Sequence, residues 1–208
     1  FGATSGYVSV TLVYLLSHAG VSVAAVAGLV AINLVPQTWK VLWAPIVDTT
    51  LTSKRWYFAA TIMTALTLGA IGFFPAGPST LSIITLLVLA NSVAVSFLAM
   101  AAENLMAHAT QMEEKGRAGG WYQAGNLGGA GIGGGAALWI AQHSAIVWLP
   151  GAAMAALFLA CCVALLFVAE PEQAHRKLHY LGSLREVVVD VWQTAKSRAG
   201  FLALLICF

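Results

Sequence analysis

Charged residues are scarce in this sequence: Asp, Glu, Lys and Arg make up 9% of its 208 residues, whereas hydrophobic residues make up 60%. A soluble domain of this size needs far more charge to cover its surface, so much of the hydrophobic surface is expected to face lipid. Cysteine is scarce as well. Cys161, Cys162 and Cys207 lie in hydrophobic runs without metal-ligand spacing. We therefore expect no metal, no cofactor and no disulfide framework.

Two further absences narrow the function. No basic stripe interleaved with aromatic residues occurs, so a nucleic-acid partner is not expected. The hydrophobic runs also contain no His-Glu-x-x-His, no Gly-x-Ser with a His, and no dense cluster of acidic and basic residues. Membrane-embedded proteases and phosphatases need such groups, so we predict that the protein is not an enzyme.

Six hydrophobic runs dominate the first 168 residues, and a membrane-spanning helix needs about 20 mostly apolar residues. We predict an all-α, polytopic membrane protein with a six-helix transmembrane bundle over residues 1–168. The runs cover approximately residues 2–16, 21–43, 56–74, 81–106, 119–140 and 145–168.

If each hydrophobic run crosses the membrane once, all Lys and Arg residues lie on the same side of it. The connections on the other side carry no Lys or Arg, which is the positive-inside pattern and predicts cytoplasmic ends for the bundle. We expect a multi-pass protein of a bacterial inner membrane, in contact with the lipid bilayer. The ten Lys and Arg residues of the sequence are Lys40, Lys54, Arg55, Lys115, Arg117, Arg176, Lys177, Arg185, Lys196 and Arg198.

Residues 169–199 form a polar cytoplasmic linker in this prediction. Ser183 and Glu186 have capping-box spacing, and the apolar residues after them share one helical face. This pattern predicts an amphipathic helix on the membrane surface, with a plain soluble linker helix as the alternative. Residues 200–208 read as the start of a seventh transmembrane helix, since eight or nine residues at about 1.5 Å each cannot cross a membrane. We expect a C-terminal half of the same chain to complete the protein.

The loop after the second run carries a more specific pattern. It reads Lys40-Val-Leu-Trp-Ala-Pro-Ile-Val-Asp48, and Glu113-Glu-Lys-Gly-Arg117 precedes the fifth run. These segments resemble loops of the major facilitator superfamily, and more narrowly those of its muropeptide permease and acetyl-CoA transporter-like group. The resemblance implies the N-terminal half of a twelve-helix carrier. It departs from the group at Ala99, where the fourth helix often has a first acidic residue; the second acidic position is matched by Glu103.

Charged residues near the loops are the first site candidates. Asp48 could attract Lys54, Arg55 or Arg117 and form a cytoplasmic latch that closes in one state of a rocking carrier. The alternative is that these charges only mark topology.

Glu103 is the acidic residue nearest the membrane interior, and an ionisable group there is a functional candidate. It shares a helical face with Ser92, Ser96 and Ala99, which suits a water-filled cavity. We predict proton or substrate coupling at Glu103 and Lys40. The alternatives are an ion pair between the two at the helix ends, or a Lys40 side chain that reaches the interface.

Polar residues within the runs are candidates for the lining of a cavity, although each could instead bridge two helices. Glycine is dense in the fifth run, and the small-xxx-small pairs Gly125/Gly129, Gly129/Gly133 and Gly131/Gly135 predict close helix packing. The cavity candidates are Tyr7, Tyr14, Asn33, Gln37, Asn91, Ser92, Ser96, Gln123 and Asn126.

The function indicated by these patterns and by the resemblance is secondary active transport by alternating access, with protons as the coupling ion. The partner is a small-molecule substrate, either muropeptide-like or another polar or anionic compound. A non-transporting sensor or assembly factor on a carrier fold stays open as an alternative, and a membrane-embedded enzyme is a weaker one.

Overall fold

The computed structural model describes residues 1–40, 46–47 and 50–166, together with the single residues 189 and 196. Helices account for the secondary structure of these residues, which include no strand. Asp48, the start of the predicted seventh helix and all but two residues of the predicted linker lie outside the described residues, so those predictions stay predictions.

Six successive helices form the described part, here called α1 to α6. The first, α1, is continuous and has three parts: Gly2–Gly6, the π-helical Tyr7–Leu12, and Val13–His18. The others are α2 Val23–Thr38, α3 Ser53–Phe73, α4 Leu81–Ala109, α5 Lys115–His143 and α6 Leu149–Leu165, and a 3-10 turn, Met112–Glu114, precedes α5.

The helix boundaries differ from the hydrophobic runs where polar residues or proline determine the ends. Helix α5 begins at Lys115 rather than near residue 119. The hydrophobic run starts later than the helix because the first turn of the helix is polar. Helix α6 begins at Leu149 rather than near 145. The Ser144 hydroxyl accepts a hydrogen bond from the Ile146 amide at 3.1 Å, which holds a turn there, and Pro150 then suits the first turn of a helix.

Side-chain caps begin two of the helices. The Ser22 hydroxyl accepts a hydrogen bond from the Ala25 amide at the start of α2, and Thr52 does the same for Arg55 at the start of α3. Each cap satisfies one of the amide groups that a helix leaves unpaired at its first turn. Gly20, at φ +80°, makes the tight turn between α1 and α2 that a residue with a Cβ rarely adopts.

Helices α1 and α5 approach each other backbone to backbone. A Cβ added to Gly6 would lie 2.0 Å from the Ala130 carbonyl oxygen, and one added to Gly134 would lie 2.8 Å from the Gly6 oxygen. The Thr11 hydroxyl crosses the same contact and donates a hydrogen bond to the Gly134 carbonyl at 3.0 Å. Only glycine allows this separation, as in small-xxx-small contacts of membrane helices.

Polar side chains join other neighbouring helices. The Asn91 amide nitrogen on α4 donates to the Thr67 hydroxyl on α3 at 2.8 Å, and the Ser92 hydroxyl donates to the Asn33 carbonyl on α2. Helices α3 and α6 meet at a further glycine contact, Gly72 against Gly151. Hydrogen bonds of this kind associate helices where apolar burial alone gives little preference.

Apolar residues lie both inside and outside the bundle. Leu16, Leu29 and Val88 are buried in its core, whereas Leu66 and Ile132 are 68% and 75% exposed. A helix that is hydrophobic on all faces is typical of a membrane span.

Two helices of the described residues, Ser53–Phe73 and Leu81–Ala109, are long and apolar enough to cross a membrane. Val23–Thr38 and Leu149–Val163 are shorter apolar helices. Helix α5 equals α4 in length, but it is rich in glycine and polar residues, which lowers its mean hydropathy. The number of six spans therefore stays a prediction.

The predicted orientation can be tested by labelling single cysteines in intact cells. We expect Lys54→Cys to resist a membrane-impermeant maleimide and Gly77→Cys to react, because Lys54 begins α3 on the charged side and Gly77 lies in the uncharged turn before α4. Permeabilised cells provide the control, in which both cysteines should react. The reverse pattern of labelling would contradict the topology.

Candidate functional site

One ion pair joins Lys40, just after the end of α2, to α4, and a tyrosine extends it to α5. The Lys40 ammonium lies 2.6 Å from each carboxylate oxygen of Glu103. The Tyr122 hydroxyl donates a hydrogen bond to Glu103 Oε1 at 3.0 Å. We call these three side chains the Glu103 cluster.

The order of the helices brings the cluster together at one end of the bundle. Lys40 follows the end of α2, Glu103 lies in the last two turns of α4, and Tyr122 lies in the second turn of α5. Because successive helices alternate in direction, the end of α2, the end of α4 and the start of α5 lie on the same side. Within residues 1–166, this is also the side that carries Lys54, Arg55 and Arg117, and hence the predicted cytoplasmic side.

The charges of the cluster are only partly removed from water. The Lys40 and Glu103 side chains are 27% and 40% exposed. A pair with this exposure contributes on the order of 1 kcal/mol or less to stability, so the cluster is weak as a purely structural link.

A cavity of about 420 Å³ lies next to the cluster. Tyr122, whose hydroxyl is bonded to Glu103, is one of its lining residues. This volume lies within the range of small-molecule sites, which are lined mostly by apolar and aromatic side chains. Other lining residues are Tyr57, Leu98, Trp121, Leu157 and Phe158, with Asn126 as a polar member.

A second cavity, of about 190 Å³, is lined largely by polar side chains. Asn33 and Gln37 contribute from α2, Ser92 from α4, and Asn126 from α5. These four residues are among the cavity candidates predicted from the sequence, and Asn126 also lines the larger cavity. The structure thus brings predicted residues from three helices to one place.

The remaining cavity candidates lie elsewhere and line neither of these two cavities. Tyr7 is buried in the core, where it is 1% exposed, and Asn91 bonds to Thr67 on α3. The Ser96 hydroxyl bonds to the Val93 carbonyl of its own helix. Tyr14 packs against the His18 ring at a centroid distance of 4.0 Å. Gln123 is exposed.

The cations of the predicted latch lie at the surface on the same side as the Glu103 cluster. Arg55 and Arg117 are exposed, and Lys54 is partly buried at the start of α3. Asp48 lies outside the described residues, so the latch stays a prediction. In the part of the chain that the structure describes, no three His, Cys, Asp or Glu residues are grouped to hold a metal ion.

Comparisons with curated proteins and with solved structures gave no match. A family model described as Major Facilitator Superfamily matches residues 1–208, which is the whole of the sequence. This match and the apolar helices agree with an integral membrane protein. The chain belongs to the major facilitator superfamily, a family of membrane transporters.

Proposed function

We propose that the protein is a secondary active carrier of a bacterial inner membrane, which couples the movement of a solute to protons at Glu103. One observation supports this proposal above the others. Tyr122 contacts Glu103 through its hydroxyl and is also one of the residues that line the larger cavity. A solute in that cavity would touch the same side chain that stabilises the carboxylate.

The coupling follows from the competition for Glu103. In the unprotonated state the carboxylate accepts from Lys40 and Tyr122, which ties α2 and α5 to α4. Proton binding removes the charge and weakens both contacts. A solute that displaces the Tyr122 hydroxyl would favour the protonated state by the same reasoning. Linkage of this kind is reciprocal, since each ligand changes the affinity of the other by the same factor.

The substrate proposal follows from the polar cavity and from the resemblance of the loops. The Asn33 and Gln37 amides offer hydrogen-bonding groups, which suit a polar solute such as a muropeptide-like compound. The Ser92 hydroxyl also lies there but already donates to the Asn33 carbonyl. An anionic group is less well supported, because the Lys40 ammonium is already paired with Glu103.

Counterflow with the full-length protein in proteoliposomes tests transport directly. Vesicles loaded with an unlabelled muropeptide-like compound, its carboxyl groups amidated, should transiently accumulate the labelled compound from outside, without any ion gradient. A sensor or assembly factor on the same fold binds but does not exchange, so the absence of counterflow for this compound and for other polar solutes would contradict the proposal.

The Asp48→Asn variant tests the proposed latch. We expect slower transport with normal insertion, because the carboxylate would no longer attract the cations of α3 and α5 in the state closed to the cytoplasm. Initial rates of counterflow and the amount of folded protein measure the two effects separately. Uptake equal to that of the unchanged protein would show that Asp48 only marks topology. Thr49→Ala, at the next residue, is the control.

A further inference from the structure

The two cavities differ in chemistry and share two lining residues, Phe1 and Asn126. On one side lie aromatic and aliphatic side chains, among them Trp121 and Phe158. On the other side lie the polar residues Asn33, Gln37 and Ser92, of which Ser92 already donates its hydroxyl to the Asn33 carbonyl. A molecule lying across Asn126 would thus meet an apolar wall at one end and hydrogen-bonding groups at the other.

Neither lining contains a charged side chain. Among the described residues that line the two cavities there is no Lys, Arg, Asp or Glu. An ionised group placed there would lose water without gaining a side chain of opposite charge, which is costly. An amide or hydroxyl group would instead exchange water for partners in the wall.

We propose that the two cavities form one bipartite site for an amphipathic solute. An uncharged hydrogen-bonding group occupies the polar cavity, and an aromatic or branched apolar group occupies the larger one. The inference deepens the proposed function, because the solute is taken to be the one that is carried.

Two other occupants fit the lining less well. A lipid acyl chain matches the wall formed by Leu157 and Phe158, but it makes no use of the polar cavity beyond Asn126. A fully polar solute fits the polar cavity but not the larger one, where it would leave water in contact with apolar side chains. An amphipathic solute makes favourable contacts in both parts.

Cys161 allows the site to be probed without a known substrate, since its thiol group belongs to an exposed residue that lines the larger cavity. The full-length protein, with Cys162→Ala to remove the neighbouring buried thiol, is placed in lipid nanodiscs. The rate of Cys161 alkylation by N-ethylmaleimide is then followed by mass spectrometry. Three matched probes are added: N-acetylphenylalanine amide, N-acetylalanine amide, and N-acetylphenylalanine with its free carboxylate.

N-acetylphenylalanine amide is expected to protect Cys161, because it joins an aromatic ring to two uncharged amides. The half-protecting concentration of N-acetylalanine amide should be at least about tenfold higher, because this probe lacks the ring. Each apolar carbon removed from water contributes roughly 0.8 kcal/mol to the binding free energy. The carboxylate form should also protect roughly tenfold less well, because the lining offers its charge no Lys or Arg side chain.

Matched variants separate the two parts of the site. Leu157→Ala should raise the half-protecting concentration of N-acetylphenylalanine amide by roughly three- to tenfold. Leu159→Ala should leave it unchanged, since Leu159 lies on the same helix with similar exposure, 48% against 45%, but does not line the cavity. Gln37→Leu should weaken protection, whereas Gln142→Leu, at the far end of α5, should not.

Equal protection by the phenylalanine and alanine amides would overturn the proposal. So would a Cys161 that reacts freely in the presence of all three probes. A Cys161 that is unreactive before any probe is added would show that lipid or another part of the chain fills the cavity, and this too would overturn it. Counterflow without protection of Cys161 would contradict this inference alone. Protection by the phenylalanine amide without counterflow would support the site and count against transport.

Discussion

The Gly134→Ala variant is expected to unfold at a lower temperature than the unchanged protein, whereas Gly135→Ala is expected to unfold at the same or a slightly higher temperature. The two glycines are adjacent on α5 but face different surroundings. A Cβ on Gly134 would lie 2.8 Å from the Gly6 oxygen and 3.0 Å from its carbonyl carbon. These are backbone atoms and cannot rotate away, so α1 and α5 must separate.

The expected size of each effect follows from the two surroundings. Overpacking of a close contact costs about 1–3 kcal/mol, which corresponds to a decrease of roughly 2–10 °C in Tm for a domain of this length. At Gly135 no atom lies within 4 Å of an added Cβ. Alanine there gains about 0.5–1 kcal/mol, because glycine loses more conformational freedom in a helix.

Thermal unfolding in detergent, followed by tryptophan fluorescence, measures both variants side by side. Gly6→Ala should behave like Gly134→Ala or worse, since its Cβ would lie only 2.0 Å from the Ala130 oxygen. Equal Tm values for Gly134→Ala and Gly135→Ala would contradict the backbone contact between α1 and α5.

The glycines also show how far the sequence predicts packing. Small-xxx-small spacing predicted close contacts for α5, and Gly133 does meet α1 at Ala3. Gly131 and Gly135 have the same spacing, yet nothing lies near them. A helix with glycine on several faces has no single preferred face, so its sequence cannot identify its neighbour. The matching spacing of Gly2 and Gly6 on α1 was the available signal for the partner helix.

Polar residues within the helices show a similar limit. Spacing alone grouped Asn33 and Gln37 on one face of α2, and the structure places both at the polar cavity. Asn91 looks equivalent in the sequence but is bonded to Thr67 on α3. Whether a polar side chain bridges helices or lines a cavity depends on which helix lies opposite, and a single sequence does not contain that information.

The Glu103 cluster was predicted in part. Pairing of Glu103 with Lys40 was one of the alternatives, because both residues lie near helix ends on the same predicted side of the membrane. Tyr122 was not among the candidates. A tyrosine close to a helix end reads as an ordinary residue of the membrane interface. Its hydrogen bond to Glu103 depends on the approach of α5 to α4, which no local pattern indicated.

Glu103→Gln is expected to abolish the uptake of solute driven by a pH gradient while exchange between internal and external pools continues. Glutamine keeps the size of the side chain and can still accept a hydrogen bond from Tyr122, but it cannot bind and release a proton. Exchange needs the carrier only to reorient with solute bound, so it requires no net release of a proton. Proteoliposomes containing the full-length protein measure both activities in one preparation.

Glu113→Gln is the matched control for this variant. Glu113 lies in the exposed 3-10 turn before α5, on the same predicted side of the membrane. The same chemical change there should leave both uptake and exchange intact. Normal accumulation by Glu103→Gln under a pH gradient would contradict the coupling role and leave Glu103 as the ion-pair partner of Lys40.

A double variant separates proton coupling from the loss of an ion pair. In Glu103→Gln alone, the partly exposed Lys40 ammonium is left without its carboxylate, which costs on the order of 1 kcal/mol or less. Lys40→Met combined with Glu103→Gln removes both charges and hence that penalty. If the pair is only structural, the double variant should recover uptake driven by the pH gradient. If Glu103 binds the coupling proton, the double variant should be as stable as the unchanged protein and exchange solute, yet fail to accumulate it, because no group remains to carry the proton.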